Sequence, residues 1–249
     1  MLTFDRRNRI LEYIAENGAA GVNELSKMLG ASESTIRRDL AELSKTGKLD
    51  KVHGGAMLPS LEFINREDSI SVKVQKYYEE KLIVAEYAAS LINDSDYVFI
   101  DAGSTTFLMT RFILGSKATF ITNGIAQAHE LLKNGCRVMV LGGELKDTTE
   151  AIVGATAAKN LQKYNFSKAF IGANGITLKQ GITTTDTSEA IIKAVAIEHS
   201  FSSFVLADNS KFGKVSAVTA APIDSACIIC DKCPDESIKN KTIVKEVNV

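Results

Sequence analysis

The 249-residue chain contains no apolar run long enough to span a bilayer, and its start, Met1-Leu2-Thr3-Phe4-Asp5-Arg6-Arg7, lacks the apolar core of a signal peptide. A soluble cytoplasmic protein with no membrane partner is expected. There is no low-complexity tract and no solenoid repeat. Neither a G-x-G-x-x-G nor a G-x-x-x-x-G-K-[ST] loop occurs, so a nucleotide is not the expected ligand and no cofactor is implied. The three histidines, His53, His129 and His199, are scattered and give no ligand spacing. The four cysteines are Cys136, Cys227, Cys230 and Cys233. The last three form a C-x-x-C-x-x-C run that invites a metal reading. Ala226-Cys227-Ile228-Ile229-Cys230 nevertheless reads as a buried strand, on which residues three apart face opposite ways. The cysteines are therefore read as structural, with no bound metal.

Charge of one sign is also missing. Residues 1–58 hold nine Lys or Arg and eight Asp or Glu, a net charge of only +1. Nucleic-acid binding by this segment would rest on the placement of charge and on dimerisation rather than on bulk basicity.

The placement is there. Ser32 can cap a helix, and Ile36, Leu40 and Leu43 follow at i, i+4 and i+7 to give one apolar face. Ser34, Arg38 and Lys45 fall opposite, with Arg37 on the flank and Thr35 in the first turn. A helix start carrying hydroxyls and guanidinium groups suits the major groove. Upstream, a first helix is expected over about 4–17 with Ile10, Leu11 and Ile14 inward. A short second helix is expected over about 23–29, capped by Asn23, with Leu25, Met28 and Leu29 inward. Gly30 supplies the tight turn, giving a helix-turn-helix. After Gly47, Lys48-Leu49-Asp50-Lys51-Val52-His53-Gly54-Gly55-Ala56 reads as a small hairpin, a wing, offering Lys48, Lys51 and His53 to phosphates.

The run Ser32 to Leu40, then Leu43, Gly47, Leu49 and His53-Gly54-Gly55-Ala56, resembles the DeoR-type winged helix-turn-helix signature, with Lys51 where that family often has Arg. The DNA-binding residues it implies are Ser32, Ser34, Thr35, Arg37, Arg38, Lys45, Lys48, Lys51 and His53, with double-stranded operator DNA as partner.

Two domains are expected: the DNA-binding unit over 1–58, a connector over 59–73 containing Pro59, and an α/β domain over 74–249. The last opens on a long helix, about 74–92, and then alternates strand and helix. Apolar runs at 97–100, 118–121, 137–141, 169–171, 204–207 and 227–229 predict a mainly parallel sheet, whose ligands sit at the carboxyl ends of strands. Small, hydroxyl and charged residues follow those ends: Asp101-Ala102-Gly103-Ser104-Thr105-Thr106, Thr122-Asn123-Gly124, Gly142-Gly143-Glu144, Gly172-Ala173-Asn174-Gly175 and Asp208-Asn209-Ser210-Lys211-Phe212-Gly213. The first has the makeup of an anion loop opening a helix. Asp208 and Lys211 are read as a pair.

These segments, with Leu141-Gly142-Gly143 and Gly181-Ile182-Thr183 through Glu189-Ala190, resemble the sensor domain of DeoR-type sugar repressors, a fold similar to ribose-5-phosphate isomerase. The resemblance implies a phosphate held by Gly103, Ser104, Thr105 and Thr106. It places Asp101, Asn123, Asp186, Glu189, Asp208 and Lys211 around a sugar, with Thr122, Gly142 and Gly143 beside them. Met1-Leu2-Thr3 and Gly181-Ile182-Thr183-Thr184 look most like fructose-operon repressors of Gram-positive bacteria. A repressor released by a phosphorylated sugar, fructose 1-phosphate first, and working as a homodimer or homotetramer is thus expected. The alternative is a sugar-phosphate isomerase with an accessory helical domain.

Overall fold

A computed structural model describes residues 2–46, 48–58 and 61–247, so Met1, Gly47 and Pro59 lie outside the described residues. The chain divides into two compact units, Met1–Leu61 and Glu62–Val249.

In the first unit, α1 (Thr3–Asn17), α2 (Val22–Leu29) and α3 (Glu33–Lys45) pack over a three-stranded sheet of β1 (Ala19–Gly21), β2 (Asp50–Val52) and β3 (Gly55–Met57), in the order β1-β3-β2. Ile10, Ile14, Val22, Leu25, Leu29, Ile36, Leu40, Leu43 and Leu49 form its core. Two details differ from expectation. Gly21, not Asn23, caps α2, and Met28 is exposed while Val22 is buried. Val22, Leu25 and Leu29, at i, i+3 and i+7, share one face of α2, and Met28 lies about a quarter-turn off it.

The second unit begins with β4 (Glu62–Ile64), α4 (Ile70–Gln75) and α5 (Tyr78–Ser90). The segment expected as connector thus carries a strand and the start of a helix. The long helix expected over 74–92 is two helices, separated by Tyr77 in the left-handed conformation at φ 53°. Buried Lys81 accounts for the break. Its Nζ donates to the carbonyls of Lys73 and Lys76, which a continuous helix would have used itself.

Then follow β5 (Tyr97–Ile100), α6 (Ser104–Thr110), β6 (Thr119–Thr122), α7 (Ile125–Lys133), β7 (Arg137–Val140), β8 (Glu144–Lys146), β9 (Ala151–Val153), α8 (Ala155–Leu161) and β10 (Phe166–Gly172). The remainder is β11 (Gly175–Thr177), β12 (Gly181–Thr184), α9 (Thr187–Glu198), β13 (Ser200–Ala207), β14 (Lys214–Ser216), β15 (Val218–Ala221), β16 (Cys227–Cys230), α10 (Glu236–Lys239) and β17 (Val244–Glu246).

Seven strands form one parallel sheet, β17-β16-β13-β10-β5-β6-β7. Alternate residues feed two cores, as a sheet covered on both faces requires. Phe99, Ile121, Ile171, Val205 and Ile228 pack on one side with residues of α8 and α9. Val98, Ile100, Phe120, Phe170, Leu206 and Ile229 pack on the other with residues of α5, α6 and α7. The chain runs outward from β5 through β6 to β7, then returns to place β10 on the other side of β5. The order reverses there, and such a switch point opens a crevice at the carboxyl ends of the strands.

Candidate functional site

The helix-turn-helix is closed by local hydrogen bonds. Gly30 is left-handed at φ 61°, and Ser26 Oγ donates to the Ala31 carbonyl at 2.6 Å. Ser32 caps α3, its Oγ accepting from the Thr35 amide at 3.3 Å and lying 2.9 Å from both the Ser34 and Thr35 hydroxyls. Ser34, Arg37, Arg38 and Lys45 are exposed, opposite buried Ile36, Leu40 and Leu43. The basic side chains are not equivalent. Arg37 is tied to Glu33 at 3.0 Å and Lys45 to Glu42 at 2.9 Å, whereas Arg38 has no ion-pair partner among the described residues. Arg38→Ala is expected to weaken operator affinity by about 1–3 kcal/mol, the worth of a bidentate guanine contact, which titration of labelled operator would read. Unchanged affinity in a folded variant would remove Arg38 from the interface.

The wing forms as expected, with β2 and β3 antiparallel and Lys48, Lys51 and His53 exposed. Its glycines have separate causes. Gly54 takes φ 82° at the turn. A Cβ on Gly55 would lie 2.2 Å from the Ala20 carbonyl oxygen, so only glycine lets β3 pack against β1. Sequence reasoning passed over Asp39. It is buried on α3, accepting from Arg6 Nε at 2.6 Å and Arg7 Nε at 2.9 Å, and so pins α3 to α1.

In the second unit a pocket opens at the switch point, lined by the loop Ala102 to Thr105 after β5, Gly172 to Asn174 after β10, Glu189 and Lys193 of α9, and Lys211. Glu67, Ile70 and Lys73, ahead of and within α4, complete it with Thr149 and Leu206. Asp186 caps α9 by accepting from the Glu189 amide at 3.0 Å. Glu189 and Lys193, four residues apart, then share one face of that helix. Lys193 is buried against Asp101, whose Oδ2 also accepts from the Gly172 amide at 3.0 Å. Asp101 thus locks the ends of β5 and β10 together.

Of the residues expected around an effector, Gly103, Ser104, Thr105, Glu189 and Lys211 line this pocket. The others do not line it. Thr106 is fully buried; its hydroxyl accepts from the Gly103 amide and donates to the carbonyls of Asp101 and Gly103. Thr122 Oγ1 donates to the Ile100 carbonyl and accepts from the Gly124 amide. Asn123 accepts from the Ala102 amide and donates to the Ile152 carbonyl. These three hold the loop from behind, as does Gln127 of α7, which donates to the carbonyls of Asp101 and Gly103. Gly142 and Gly143 follow β7, and a Cβ on Gly143 would meet Val153 and Ala157 within 3 Å. Asp208 is fully buried, and its ion-pair partner is Lys81, 3.9 Å away, rather than Lys211. Glu67, Lys73, Thr149, Asn174 and Lys193 are additions from structure.

Most of the pocket's charges are paired. Glu67 accepts from Lys73 and from Lys146 at 2.7 Å. Glu189 accepts from Lys146 at 3.0 Å and Thr149 at 2.8 Å. Burial opposes ionisation of Glu67, but Lys73 and Lys146 outweigh it and hold its pKa at about 2. Burial likewise opposes the charge on Lys193, and Asp101 and Glu189 outweigh it, so its pKa rises. Lys211 differs. Half-buried, it has no ion-pair or hydrogen-bond partner at Nζ among the described residues, and burial lowers its pKa. Asp208 only partly offsets that, while Lys73 lowers it further.

The depressed Glu67 pKa has a pH consequence. Its ionised form is favoured in the folded state, so its stabilisation is full above the unfolded value near 4.5 and is lost as pH falls towards 2. Glu67→Gln is expected to remove roughly 2–4 kcal/mol of that acid-side dependence, read from denaturant midpoints across the window. An unchanged slope would show that Glu67 is not held by these lysines.

Cys227 and Cys230 lie at the two ends of β16, the strand expected there. Burial pushes the Cys230 thiol up to about 12. Among the described residues, no group of three or more His, Cys, Asp or Glu is arranged to hold a metal. No helix among them is long and apolar enough to cross a membrane.

Residues 6–62 match the DeoR-like helix-turn-helix domain and residues 76–232 match the DeoR C terminal sensor domain. The chain is 38% identical over 251 residues, 99% of each chain, to the uncharacterized HTH-type transcriptional regulator FruR of Bacillus subtilis. It is 37% identical over 218 residues, 86% of each chain, to the lactose phosphotransferase system repressor of Staphylococcus epidermidis. A ribose 5-phosphate isomerase A from Methanocaldococcus jannaschii aligns over 54% of each chain, at 18% identity and TM-score 0.41. The sequence relatives are named as transcriptional regulators, which sets the isomerase alternative aside. With a DNA-binding unit and a sensor unit both matched, the chain belongs to the DeoR family of helix-turn-helix transcriptional regulators.

Proposed function

We propose that this protein represses a sugar-utilisation operon and that a phosphorylated sugar, bound in the switch-point pocket, releases it from its operator. The carrying observation is Lys211, a half-buried cation without an ion-pair or hydrogen-bond partner among the described residues, in a pocket whose other lining lysines are paired with Glu67 and Asp101. A bound phosphate supplies the missing anion. Gly103 leaves room for it, the hydroxyls of Ser104 and Thr105 donate to it, and Lys211 neutralises it. Glu189, Lys193 and Asn174 meet the sugar, while Asp101, Thr106, Thr122, Asn123 and Asp208 hold the walls, with Gly142, Gly143 and Asp186 further out. Relatives named as repressors of a lactose phosphotransferase system support a phosphorylated sugar, and fructose 1-phosphate is the first to try. With a DNA-binding unit of net charge only +1, the repressor acts as a dimer or tetramer reading two half-sites.

A panel of sugar phosphates titrated against thermal stability tests this reading. A ligand at 100 times its Kd adds about 2.7 kcal/mol to the folded state. Fructose 1-phosphate or another member of the panel is expected to raise the melting temperature. A panel without effect would overturn the assignment.

A further inference from the structure

Residues 65–69 are exposed except at one position. Asn65, Arg66, Asp68 and Ser69 face solvent, while Glu67 turns inward with its side chain only 8% exposed. Four donors meet its carboxylate: Lys73, Lys146 at 2.7 Å, Thr185 Oγ1 at 3.0 Å and Asn174 Nδ2 at 3.5 Å. Lys73 and Asn174 line the pocket. Lys146 also holds Glu189, which lines it too. Of the groups assigned to the sugar, Asn174 thus donates to Glu67, and Glu189 shares Lys146 with it, so an internal carboxylate occupies the sugar side of the pocket.

The backbone around Glu67 is held lightly. The strand β4 adds three residues beside β14, the Glu62 amide donates to the Gly213 carbonyl at 3.3 Å, and the Ile70 amide to the Thr148 carbonyl at 3.1 Å. Segments with few buried contacts and short ladders open first. This segment starts at Glu62, where the second unit starts, directly after the DNA-binding unit in the chain.

We infer that Glu67 is a built-in competitor of the effector: its carboxylate clasps the strap 62–69 onto the pocket, and the phosphorylated sugar displaces it and frees the strap that leads to the DNA-binding unit. The inference rests on the pocket being the effector site. The clasped form is the operator-binding form. A ligand that must first open the clasp binds more weakly by the fraction of molecules already open.

The test uses the full chain, with fructose 1-phosphate and inorganic phosphate as probes. Isothermal titration reads affinity, hydrogen exchange reads the strap, and labelled operator reads DNA binding. In the wild type, fructose 1-phosphate speeds exchange over 62–69. Glu67→Gln binds the sugar phosphate about tenfold more tightly, because the competing state is gone. Its strap exchanges fast without ligand, and its operator affinity is already reduced. Thr185→Val, which removes one neutral donor to Glu67, moves all three readouts the same way by less and covers the case in which Glu67→Gln folds poorly. Weaker or unchanged binding of fructose 1-phosphate by both variants, or slower strap exchange on ligand binding, would overturn the clasp and make Glu67 a ligand contact or a scaffold. Failure of the pocket reading looks different: the wild type binds neither probe, or Lys211→Ala binds them as well as the wild type, and the clasp falls with it.

Discussion

Asp39→Ala is expected to destabilise the DNA-binding unit by about 3 kcal/mol, the usual cost of removing one partner from a buried ion pair. Asp39 is 2% exposed and receives Arg6 and Arg7 of α1 on its two oxygens. Alanine leaves both guanidinium groups without their acceptor and opens a gap between α1 and α3. The loss should sit at the low end of the buried-pair range, because Arg7 is 33% exposed and regains water. Operator affinity should fall as well, since α3 loses the contact that sets its angle on α1. Urea unfolding followed by a probe in the first unit reads the stability term. Asp39→Asn, which keeps the shape and one acceptor oxygen, should recover part of it. A wild-type midpoint in Asp39→Ala would mean that the apolar core alone orients α3.

Lys211→Ala is expected to give a super-repressor: operator binding retained, response to sugar phosphate lost. A charge-assisted hydrogen bond is typically worth about 1.5–3 kcal/mol, so the effector constant should rise by roughly ten- to a hundredfold. The same change costs the free protein little, because Lys211 has no ion-pair or hydrogen-bond partner among the described residues, and burial already disfavours its charge. Thr105→Ala should weaken the effector more mildly, since it removes one hydroxyl and leaves the backbone loop. If Lys211 and Thr105 only serve the turns they occupy, both variants should lose stability and operator affinity while the effector constant stays where it was. Operator titrations with and without sugar phosphate separate the two outcomes.

The legible parts of this chain are those that depend on neighbours a few residues away. The Ser32 cap, the Ile36-Leu40-Leu43 stripe, the Gly30 turn and the wing glycines are all local, and each forms as the sequence predicts. Six of the seven strands of the parallel sheet coincide with the apolar runs expected as strands, whereas β8, β9, β11, β12, β14, β15 and β17, each of three or four residues, coincide with none of them. The break at Tyr77 was not legible, because the Gln75-Lys76-Tyr77-Tyr78 stretch has no proline or glycine and the stop is a lysine amine reaching back to two carbonyls.

Of the residues expected around an effector, those that line the pocket and those behind it read alike in the sequence. Strand ends gather hydroxyls and amides whether or not they face a ligand, so Thr106, Thr122 and Asn123 read like ligand contacts while serving as struts. Asp208 read as the partner of Lys211 because they are three apart; its pairing with Lys81 crosses more than a hundred residues. Lys193 and Glu67 reach the site through a helix face and a strap, and nothing in their own segments marks them. Only the fold brings Glu67 beside Asn174 and Thr185, over a hundred residues away. The same holds for Asp39, whose partners lie 32 and 33 residues upstream.

The affinity of the intact protein for its operator, measured with and without a saturating sugar phosphate, tests the central claim most directly. Fluorescence anisotropy of a labelled operator at fixed salt is sufficient, since phosphate contacts make such affinities salt-dependent. Fructose 1-phosphate, or another sugar phosphate that raises the melting temperature, is expected to weaken operator binding at least tenfold in the wild type and not in Lys211→Ala. Operator affinity that no sugar phosphate changes, or that changes equally in Lys211→Ala, would contradict it.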